Sequence, residues 1–473
     1  MRSGSFSVRF ARESNTGDRR NAMEAVAEFA KTFLGQLIQP GDSSYDDARK
    51  IHNGLVDKRP ALIARCRGLA DIADAVRFAR THGLEIAVRG GGHNVAGRAI
   101  VDDGLMIDLS LMKSVHVNAA DRTAIVEGGV NWKEFNREAQ LHGLATTGGV
   151  IGTTGVAGLT LGGGIGWLMA KYGLALDNLL AVNLVLADGS VVRASADDHA
   201  DLFWAVRGGG GNFGVAGSFE FRLHPVGPVV IGGLVAFPFP EARQVLRGFR
   251  DMAADAPDEL MLVATLASAP DGSGNKIAAV AACHCGAAAD GQAAAARIRT
   301  FGTVVMDAIG PIPYGALNGM LDAGFPSGAL NYWKSAFLPE LSDAAIDALV
   351  SAFEKCPVPT SSILVENFHG AASRVPVDAT AYALRNDGFN TLALGQWMDP
   401  AQGSATIAWC RETFAAVEPF VGARRYMNYL GADEDAGGAA AAAYGPNLAR
   451  LRRLKKQYDP DNLFHLNVNI PAG

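Results

Sequence analysis

The sequence predicts an α+β protein with a first half rich in glycine loops and a second half that is an antiparallel sheet covered by helices. Three observations lead to this fold class. A strand–helix–strand unit begins at Pro60, glycine-rich loops recur up to about residue 215, and strands alternate with helices from residue 226 onward. Glycines let backbone N–H groups approach a ligand closely, so the first half is expected to hold a phosphate-bearing cofactor.

The chain opens with weak signals, and residues 1–45 are predicted to be a helical or frayed leader. The first clear helix has apolar residues at i, i+3, i+4 and i+7, with Asp71 as its predicted cap and Gly83 at its end. Strands at 61–65 and 84–88 flank this helix and complete a small β-α-β unit.

Alternating apolar patterns and turn residues predict the other elements of this half. Strands are expected at 106–109, 123–127, 182–186 and 191–194, and helices at 132–142 and 201–206. Asp188-Gly189 separates two of these strands and predicts a hairpin.

The loop Arg89-Gly90-Gly91-Gly92-His93-Asn94-Val95-Ala96-Gly97 follows the strand at 84–88. A Rossmann fingerprint would place G-x-G-x-x-G after the first strand of the unit, so this loop does not fit it. Phosphate binding requires no histidine, and His93 suggests that the loop both holds the cofactor and reacts with it. A loop histidine held by backbone hydrogen bonds is equally consistent with the loop alone. Loops at 148–166 and 208–215 have a similar composition, as expected of separate segments that approach one extended ligand.

The pattern changes near Pro225 and Pro228, where the glycine loops end. Strands are predicted at 229–237, 260–266, 277–283, 363–368 and 392–397, with helices at 241–253, 287–301 and 343–353. This order predicts an antiparallel sheet with helices on one side. The alanines at 439–443 predict a helix or a flexible turn.

Composition excludes several classes of protein. The formal net charge is -6 and the basic run at 450–456 fits one amphipathic helix with a solvated face, so a nucleic-acid partner is not expected. No apolar run approaches the length of a membrane span and no secretory signal is recognised, which predicts a cytoplasmic protein with no membrane partner.

The cysteines are few and scattered, which fits a reducing compartment rather than a disulfide framework. Cys283-His284-Cys285 has no second ligand pair at a zinc-like distance, and alternation along a strand would turn His284 to the opposite face. No metal site is therefore predicted.

Four motifs in order resemble the FAD-linked oxidases of the vanillyl-alcohol oxidase/PCMH superfamily, within it the berberine-bridge-enzyme-like and 6-hydroxy-D-nicotine-oxidase-like group. They are Arg89-Gly-Gly-Gly-His93-Asn94; Gly155-Val-Ala-Gly158 with Gly162-Gly-Gly164 and Lys171-Tyr-Gly-Leu174; the stretch from Asp201 to Val215; and Tyr458-Asp-Pro-Asp-Asn-Leu-Phe464 with Asn467-Val-Asn-Ile-Pro471. The resemblance covers the chain from about Tyr45 to its end.

The resemblance implies a two-subdomain PCMH-type FAD-binding domain built from both ends of the chain, with a substrate domain inserted between them. The expected boundaries are 1–45 for the leader, 46–225 for the FAD-binding domain, 226–420 for the substrate domain and 421–473 for the returning segment. The implied FAD-binding residues are Arg89, Gly90, Gly91, Gly92, His93, Asn94, Gly97, Gly149, Val150, Thr153, Thr154, Gly155, Gly158, Leu159, Gly162, Gly163, Gly214, Val215, Asn467 and Asn469.

His93 stands where the histidine of this family bonds to the flavin 8α-methyl carbon, and a neutral imidazole is a nucleophile near pH 7. Members with two covalent links carry a cysteine where this chain has Ile151, which cannot form a thioether. A single 8α-histidyl link to FAD is therefore expected. The position that controls oxygen access is Thr154, close in size to the valine of oxidases, so O2 is expected to reoxidise the flavin and give H2O2.

Candidates for the catalytic base are Tyr429, Tyr426 and Glu366. Tyr429 matches a tyrosine that serves as the base in several sugar and antibiotic oxidases, although both tyrosines could instead be packing residues with satisfied hydroxyls. Glu366 lies in an apolar strand where an ionised carboxylate is costly unless it faces a cavity or a partner, and a solvated position on the sheet face is nearly as consistent with the sequence.

The position of the catalytic base in the plant enzymes of this family falls near Leu392 in this chain. Leucine cannot accept a proton, so a base at that position is not expected. Tyr332, Trp333 and Lys334 lie in a strand-like segment and are candidates for the pocket wall.

These observations predict an oxidase that takes a hydride from a small alcohol, sugar or amine-bearing metabolite to flavin N5. Two alternatives stay open: a flavin dehydrogenase that uses another acceptor, and a flavoprotein that sequesters a metabolite without turnover. The sequence does not specify the substrate or the oligomeric state.

Overall fold

The computed structural model describes residues 16–471, which form three larger sheets, one two-stranded sheet and the covering helices. A helix, Thr16–Phe29, falls within the predicted leader, of which residues 1–15 lie outside the described part. The first sheet has four strands in the order Gln36–Ile38, Leu62–Arg65, Leu105–Asp108 and Ile86–Arg89. Its central strand, Leu105–Asp108, is parallel to both strands of the β-α-β unit.

The helix of this unit spans Leu69–His82 and ends at Gly83, which has a left-handed φ of 65°. It begins before Asp71, and Gly68 is its N-cap residue. The Asp71 carboxylate instead accepts backbone N–H groups of Leu34 (3.0 Å) and Arg67 (2.8 Å). The prediction that Asp71 caps the helix was wrong because the carboxylate is used to fix the chain that enters it.

The second sheet has five antiparallel strands in the order Val115–Asn118, Thr123–Glu127, Val215–Arg222, Leu179–Val185 and Val191–Ser195. The predicted hairpin across Asp188-Gly189 is confirmed by the pairing of its two strands. Strand Val215–Arg222 was not predicted, although it lies at the centre of the sheet.

The third sheet is antiparallel and contains Val229–Pro238, Leu260–Ser268, Lys276–His284, Met306–Asp307, Gly310–Pro313, Leu330–Leu338, Ser362–Phe368 and Gly388–Trp397. One face packs against helices Ala242–Ala254, Ala288–Ile298, Asp343–Glu354 and Gly403–Val417 in a single apolar core. The other face packs against the glycine-rich half. The predicted α+β class, with helices on one side of an antiparallel sheet, is confirmed.

The last part of the chain returns to the first half. Helix Leu448–Tyr458 packs against Ala200–Val206, and Val468 and Ile470 are buried in the core of that half. The predicted solvated helix face is wrong at Lys455. This side chain is fully buried and donates to Asp459 Oδ2 (2.6 Å) and to two backbone carbonyls.

Shorter elements connect these layers. The helices are Tyr45–Ala48, Trp132–Gln140, Val156–Leu161, Met169–Tyr172, Ala200–Val206, Tyr314–Asn318, Ala371–Arg374 and Ala439–Tyr444, and the short strands Leu144–Ala145 and His224–Pro225 pair with each other. No helix within residues 16–471 is long and apolar enough to cross a bilayer. The same residues contain no cluster of His, Cys, Asp and Glu suited to a metal ion.

Candidate active site

A long cavity lies between the glycine-rich half and the third sheet. Sixteen of the predicted FAD-binding and catalytic residues line it: Gly90, Gly91, Gly92, His93, Asn94, Gly149, Val150, Thr154, Gly155, Gly158, Leu159, Gly162, Gly214, Val215, Asn467 and Tyr429. Residues from three separate loops and from the carboxy-terminal tail thus meet around one space.

The first two glycine loops touch backbone to backbone along the cavity wall. A Cβ atom on Gly91 would lie 2.5 Å from Gly155 Cα, and one on Gly155 would lie 2.4 Å from Gly91 N. A Cβ on Gly158 would meet no atom within 4 Å, because this residue borders open space. Gly91 and Gly155 lie in backbone contact, and Gly158 borders the open cavity. We call this glycine-lined surface the cradle, and it fits an extended dinucleotide such as FAD.

The predicted contact Arg89 does not line the cavity. Its guanidinium turns away and holds Asp108 with Nε to Oδ1 at 3.0 Å and Nη2 to Oδ2 at 2.5 Å. Asp108 is fully buried, and Arg65 donates to it from the other side at 3.0 Å. The pair therefore anchors the loop to the sheet below it, and Arg89 positions the cradle without forming its surface.

Four other predicted contacts also do not line the cavity. Gly97 has a φ of 70° and packs on Val56, while Gly163 packs on the rings of Tyr382 and Tyr426. Thr153 contacts His93, and Asn469 belongs to the buried tail. The sequence motif marks all of them as neighbours of the loops, but it does not show which way each residue points.

His93 stands on the cavity wall with its ring fixed on two sides. Its Nε2 lies 3.1 Å from Thr153 Oγ1, and its ring is stacked on His52 at 3.7 Å between centroids with 18° between planes. Burial, and secondarily the adjacent His52, lowers the pKa of His93 to about 3. The imidazole is thus neutral at pH 7, with Nε2 engaged by Thr153 and Nδ1 left as the second nitrogen.

Glu366 is 1% exposed and sits one hydrogen bond behind the cavity wall. Its Oε1 accepts from the Tyr429 hydroxyl at 3.1 Å, and its Oε2 accepts from Asn390 Nδ2 at 2.6 Å. Burial raises the pKa of Glu366 to about 7, against the opposing effect of these two hydrogen bonds. Burial also raises the pKa of Tyr429 well above its usual value, with Glu366 acting in the same direction.

Asn390 was not predicted from the sequence. It faces Glu366 directly across neighbouring strands, in a register that pairs the two residues. An amide in an apolar strand gave a weak signal, but its role depends on a strand pairing that the sequence alone does not define.

Tyr426 does not line the cavity, although it was a candidate base. Its buried hydroxyl accepts the backbone N–H groups of Gly164 (3.2 Å) and Ile165 (3.3 Å), and Asn428 Nδ2 lies 3.0 Å away. These contacts use the oxygen to hold the second glycine loop, so Tyr426 has a structural role.

The part of the cavity wall that the third sheet and its loops contribute is apolar, whereas Arg98 and Asn428 line it from elsewhere. Of the three candidates in strand Leu330–Leu338, only Trp333 lines it; Tyr332 and Lys334 alternate to the other face and contact Asp433. Ile151 is also on the wall. The other apolar lining residues from the third sheet and its loops are Phe325, Leu364, Leu392 and Leu394.

Comparison with known proteins agrees with this geometry. Residues 60–195 match the model of the FAD binding domain, and residues 425–471 match the model described as berberine and berberine like. (R)-6-hydroxynicotine oxidase of Paenarthrobacter nicotinovorans is 34% identical over 457 residues, which cover 93% of this chain and 98% of that protein. The chain belongs to this family of FAD-linked oxidoreductases.

Solved structures of FAD-linked oxidases share the fold along almost the whole chain. The 6-hydroxy-D-nicotine oxidase of Arthrobacter nicotinovorans superposes with a TM-score of 0.83 at 31% identity and covers 93% of this chain and 98% of its own. The glucooligosaccharide oxidase of Acremonium strictum, which carries a 6-S-cysteinyl, 8α-N1-histidyl FAD, gives a TM-score of 0.83 at 25% identity and covers 96% and 99%. Covalent flavin thus occurs among the structural relatives of this oxidoreductase.

Proposed function

We propose that the protein is an oxidase with FAD covalently attached through His93, acting on a small alcohol, sugar or amine-bearing metabolite. The observation that carries the proposal is the pairing, around one cavity, of a neutral imidazole with a tyrosine–carboxylate pair. FAD, when bound, supplies the two-electron acceptor at N5. Gly90, Gly91, Gly155 and Gly158 are placed to receive it along their backbones.

The substrate proton is expected to move through Tyr429 to Glu366. Tyr429 lines the cavity and its hydroxyl donates to Glu366 Oε1, which leaves the lone pairs of the same oxygen to accept a hydrogen bond from a substrate O–H or N–H. A phenol with a raised pKa is a poor base alone, whereas a carboxylate with a pKa of about 7 is suited to neutral pH. Tyr429 is therefore the contact to substrate and Glu366 the final acceptor.

The apolar wall favours a substrate with one reacting polar group on an apolar body. Phe325, Trp333 and Leu394 offer dispersion and aromatic contacts but no hydrogen bonds for several sugar hydroxyls. Apolar amines or alcohols are the first members of the proposed range to screen, by bleaching of the bound flavin.

Acid precipitation of the purified protein tests the covalent link. We expect the yellow colour to stay with the wild-type pellet and to leave the His93→Ala pellet, because His93 is the one nucleophile placed for attachment once Ile151 excludes a thioether. His116→Ala, which changes an exposed histidine on strand Val115–Asn118, is the matched control and should retain acid-stable flavin. Acid-stable flavin in His93→Ala would contradict the single link.

Stopped-flow reoxidation tests the oxidase assignment against the dehydrogenase alternative. Thr154 lines the cavity and is the position proposed to admit O2. We expect the reduced protein to be reoxidised by O2 faster than free reduced flavin, with H2O2 formed. Reoxidation no faster than that of free flavin would instead favour a dehydrogenase with another acceptor.

A further inference from the structure

His52 has no part in the proposed reaction, yet its ring contacts the ring of His93. The distance between their centroids is the shortest of any aromatic pair among the described residues. The two imidazoles stack at 3.7 Å with 18° between their planes. His52 is 8% exposed, and burial lowers its pKa. Two neutral rings held face to face restrict each other's rotation, since tilting either one would lose the contact.

Both backbone groups of His52 are hydrogen-bonded. Its N–H donates to Gly92 O at 3.0 Å, inside the loop that carries His93, and its carbonyl accepts from Gly328 N–H at 2.9 Å. The ring is therefore a fixed surface against which His93 lies, held by the first glycine loop and by the third-sheet half at once.

His52 contributes the face of its ring and not its polar edge. Its Nε2 is buried and has no hydrogen-bond partner in the described part of the chain. A buried polar atom without a partner is destabilising, so Nε2 gives no reason for an imidazole here. Stacking on His93 gives a reason for a flat ring at this position.

We propose that His52 is a positioning residue for covalent attachment of FAD: it sets the plane of the His93 ring, while Thr153 engages Nε2, so that Nδ1 is presented to the flavin. The proposal rests on the proposed function, because it requires the His93 link. Attachment forms one C–N bond and releases one proton from the 8α-carbon and one from the imidazole. The electron pair stays on the isoalloxazine until O2, the oxidant of the proposed activity, takes it up.

The test compares ring-bearing and ringless side chains at this position. Full-length wild type, His52→Leu and His52→Phe are produced under flavin limitation and mixed with FAD, and acid-stable flavin is followed with time. Total bound FAD is measured in parallel by ultrafiltration. Slower formation of acid-stable flavin with unchanged total bound FAD indicates a defect in attachment. A decrease in both indicates a general loss of binding or folding.

We expect His52→Leu to attach FAD about three- to tenfold more slowly, the range that one aromatic stacking contact supplies, with total binding unchanged. His52→Phe should restore the wild-type rate. Attachment by His52→Leu at the wild-type rate would overturn the proposal, and so would His52→Phe as slow as His52→Leu, because the imidazole edge would then be required. Should His52→Leu not fold, His52→Gln provides the ringless comparison. Wild type without acid-stable flavin would overturn the covalent function itself, a distinct result.

Discussion

Glu366 is the residue whose chemistry depends most on its surroundings. The carboxyl is 1% exposed and has two hydrogen-bond donors, Tyr429 and Asn390, but no cation beside it. These neutral partners offset only part of the cost of burying a charge, and the pKa therefore stands at about 7. A group with that pKa changes charge across the range in which the protein is expected to work.

Glu366→Gln should abolish the pH dependence of the reductive half-reaction along with most of its rate. In the wild type the ionised form is required, so kcat/KM should rise with pH through about 7. The amide cannot accept a proton, and we expect a loss of about 10²-fold or more, the usual contribution of a general base. Anaerobic stopped-flow reduction from pH 5.5 to 8.5 measures both effects. An unchanged profile in Glu366→Gln would assign the base elsewhere.

The same substitution should stabilise the fold at alkaline pH. Because the pKa of Glu366 is raised from 4.5 to about 7, the folded state holds its proton more tightly than the unfolded chain. The contribution of Glu366 to the free energy of unfolding is thus fully present below about pH 4.5. It falls as the pH rises through about 7 and stays low above that value. Glu366→Gln removes this loss, worth at most about 3 kcal/mol at pH 8. Urea unfolding at pH 5 and pH 8 should show a larger gain at pH 8.

At this scale the sequence singled out His93 and Glu366 as candidates, but it did not identify which residues contact them. His93 and Glu366 stood out because an imidazole in a glycine loop and a carboxylate in an apolar strand are both unusual. Asn390 and His52 act through contacts with residues far away in sequence, and no local pattern marks such contacts. Tyr426 and Tyr429 looked equivalent from the sequence, and only their different directions in the fold separate them.

Among the elements, the segment 51–54 links the first glycine loop to strand Leu330–Leu338. Asn53 Nδ2 donates to Val95 O at 2.8 Å and to Asn331 O at 2.9 Å, and its Oδ1 accepts Asn331 N–H at 2.9 Å. Its Oδ1 also accepts Leu55 N–H at 3.0 Å, so one buried side chain satisfies four backbone groups from two halves of the molecule.

Asn53→Ala should cost about 2–4 kcal/mol of folding free energy, because it leaves these buried backbone groups without partners. Asn118→Ala is the matched control, since Asn118 is exposed and bonds only locally to Asp121, and it should change stability by less than about 0.5 kcal/mol. Denaturant unfolding of both variants gives the comparison. Equal stability of the two would show that the link carries little energy.

The elements themselves were predictable where periodicity is strong. Strand Thr123–Glu127 and three of the four helices that cover the third sheet follow from alternation and from helical spacing, whereas helix Gly403–Val417 was not predicted. Strand Val215–Arg222 was missed because it continues directly from a glycine loop, whose composition conceals the alternation. Lys455 was expected in solvent, yet it is buried, because its charge is paired with Asp459 and its remaining donors reach carbonyls.

On the scale of the whole molecule, the third-sheet half holds the second glycine loop as well as the first. Asp322 Oδ1 accepts Gly152 N–H at 2.6 Å, and Asn318 Nδ2 donates to Gly149 O at 2.6 Å. The second loop is thus fixed directly by residues outside its own half, and the first loop is linked to that half through Asn53. Cofactor binding should therefore stabilise the two halves together.

FAD should raise the stability of the His93→Ala protein in a single transition. Reversible binding to the folded state alone at one hundred times the dissociation constant adds about 2.7 kcal/mol. Calorimetry with and without FAD should show one shifted peak, because the cradle belongs to both halves. Two peaks, of which only one moves, would show that the halves unfold independently.

Asn467 lies on the cavity wall, although it comes near the end of the chain. A ribosome makes the chain from its amino terminus, so the cradle is incomplete until this last segment has been synthesised and has packed against loops made much earlier. Flavin loading should then require this segment, and a chain truncated within helix Leu448–Tyr458 should be isolated as colourless protein.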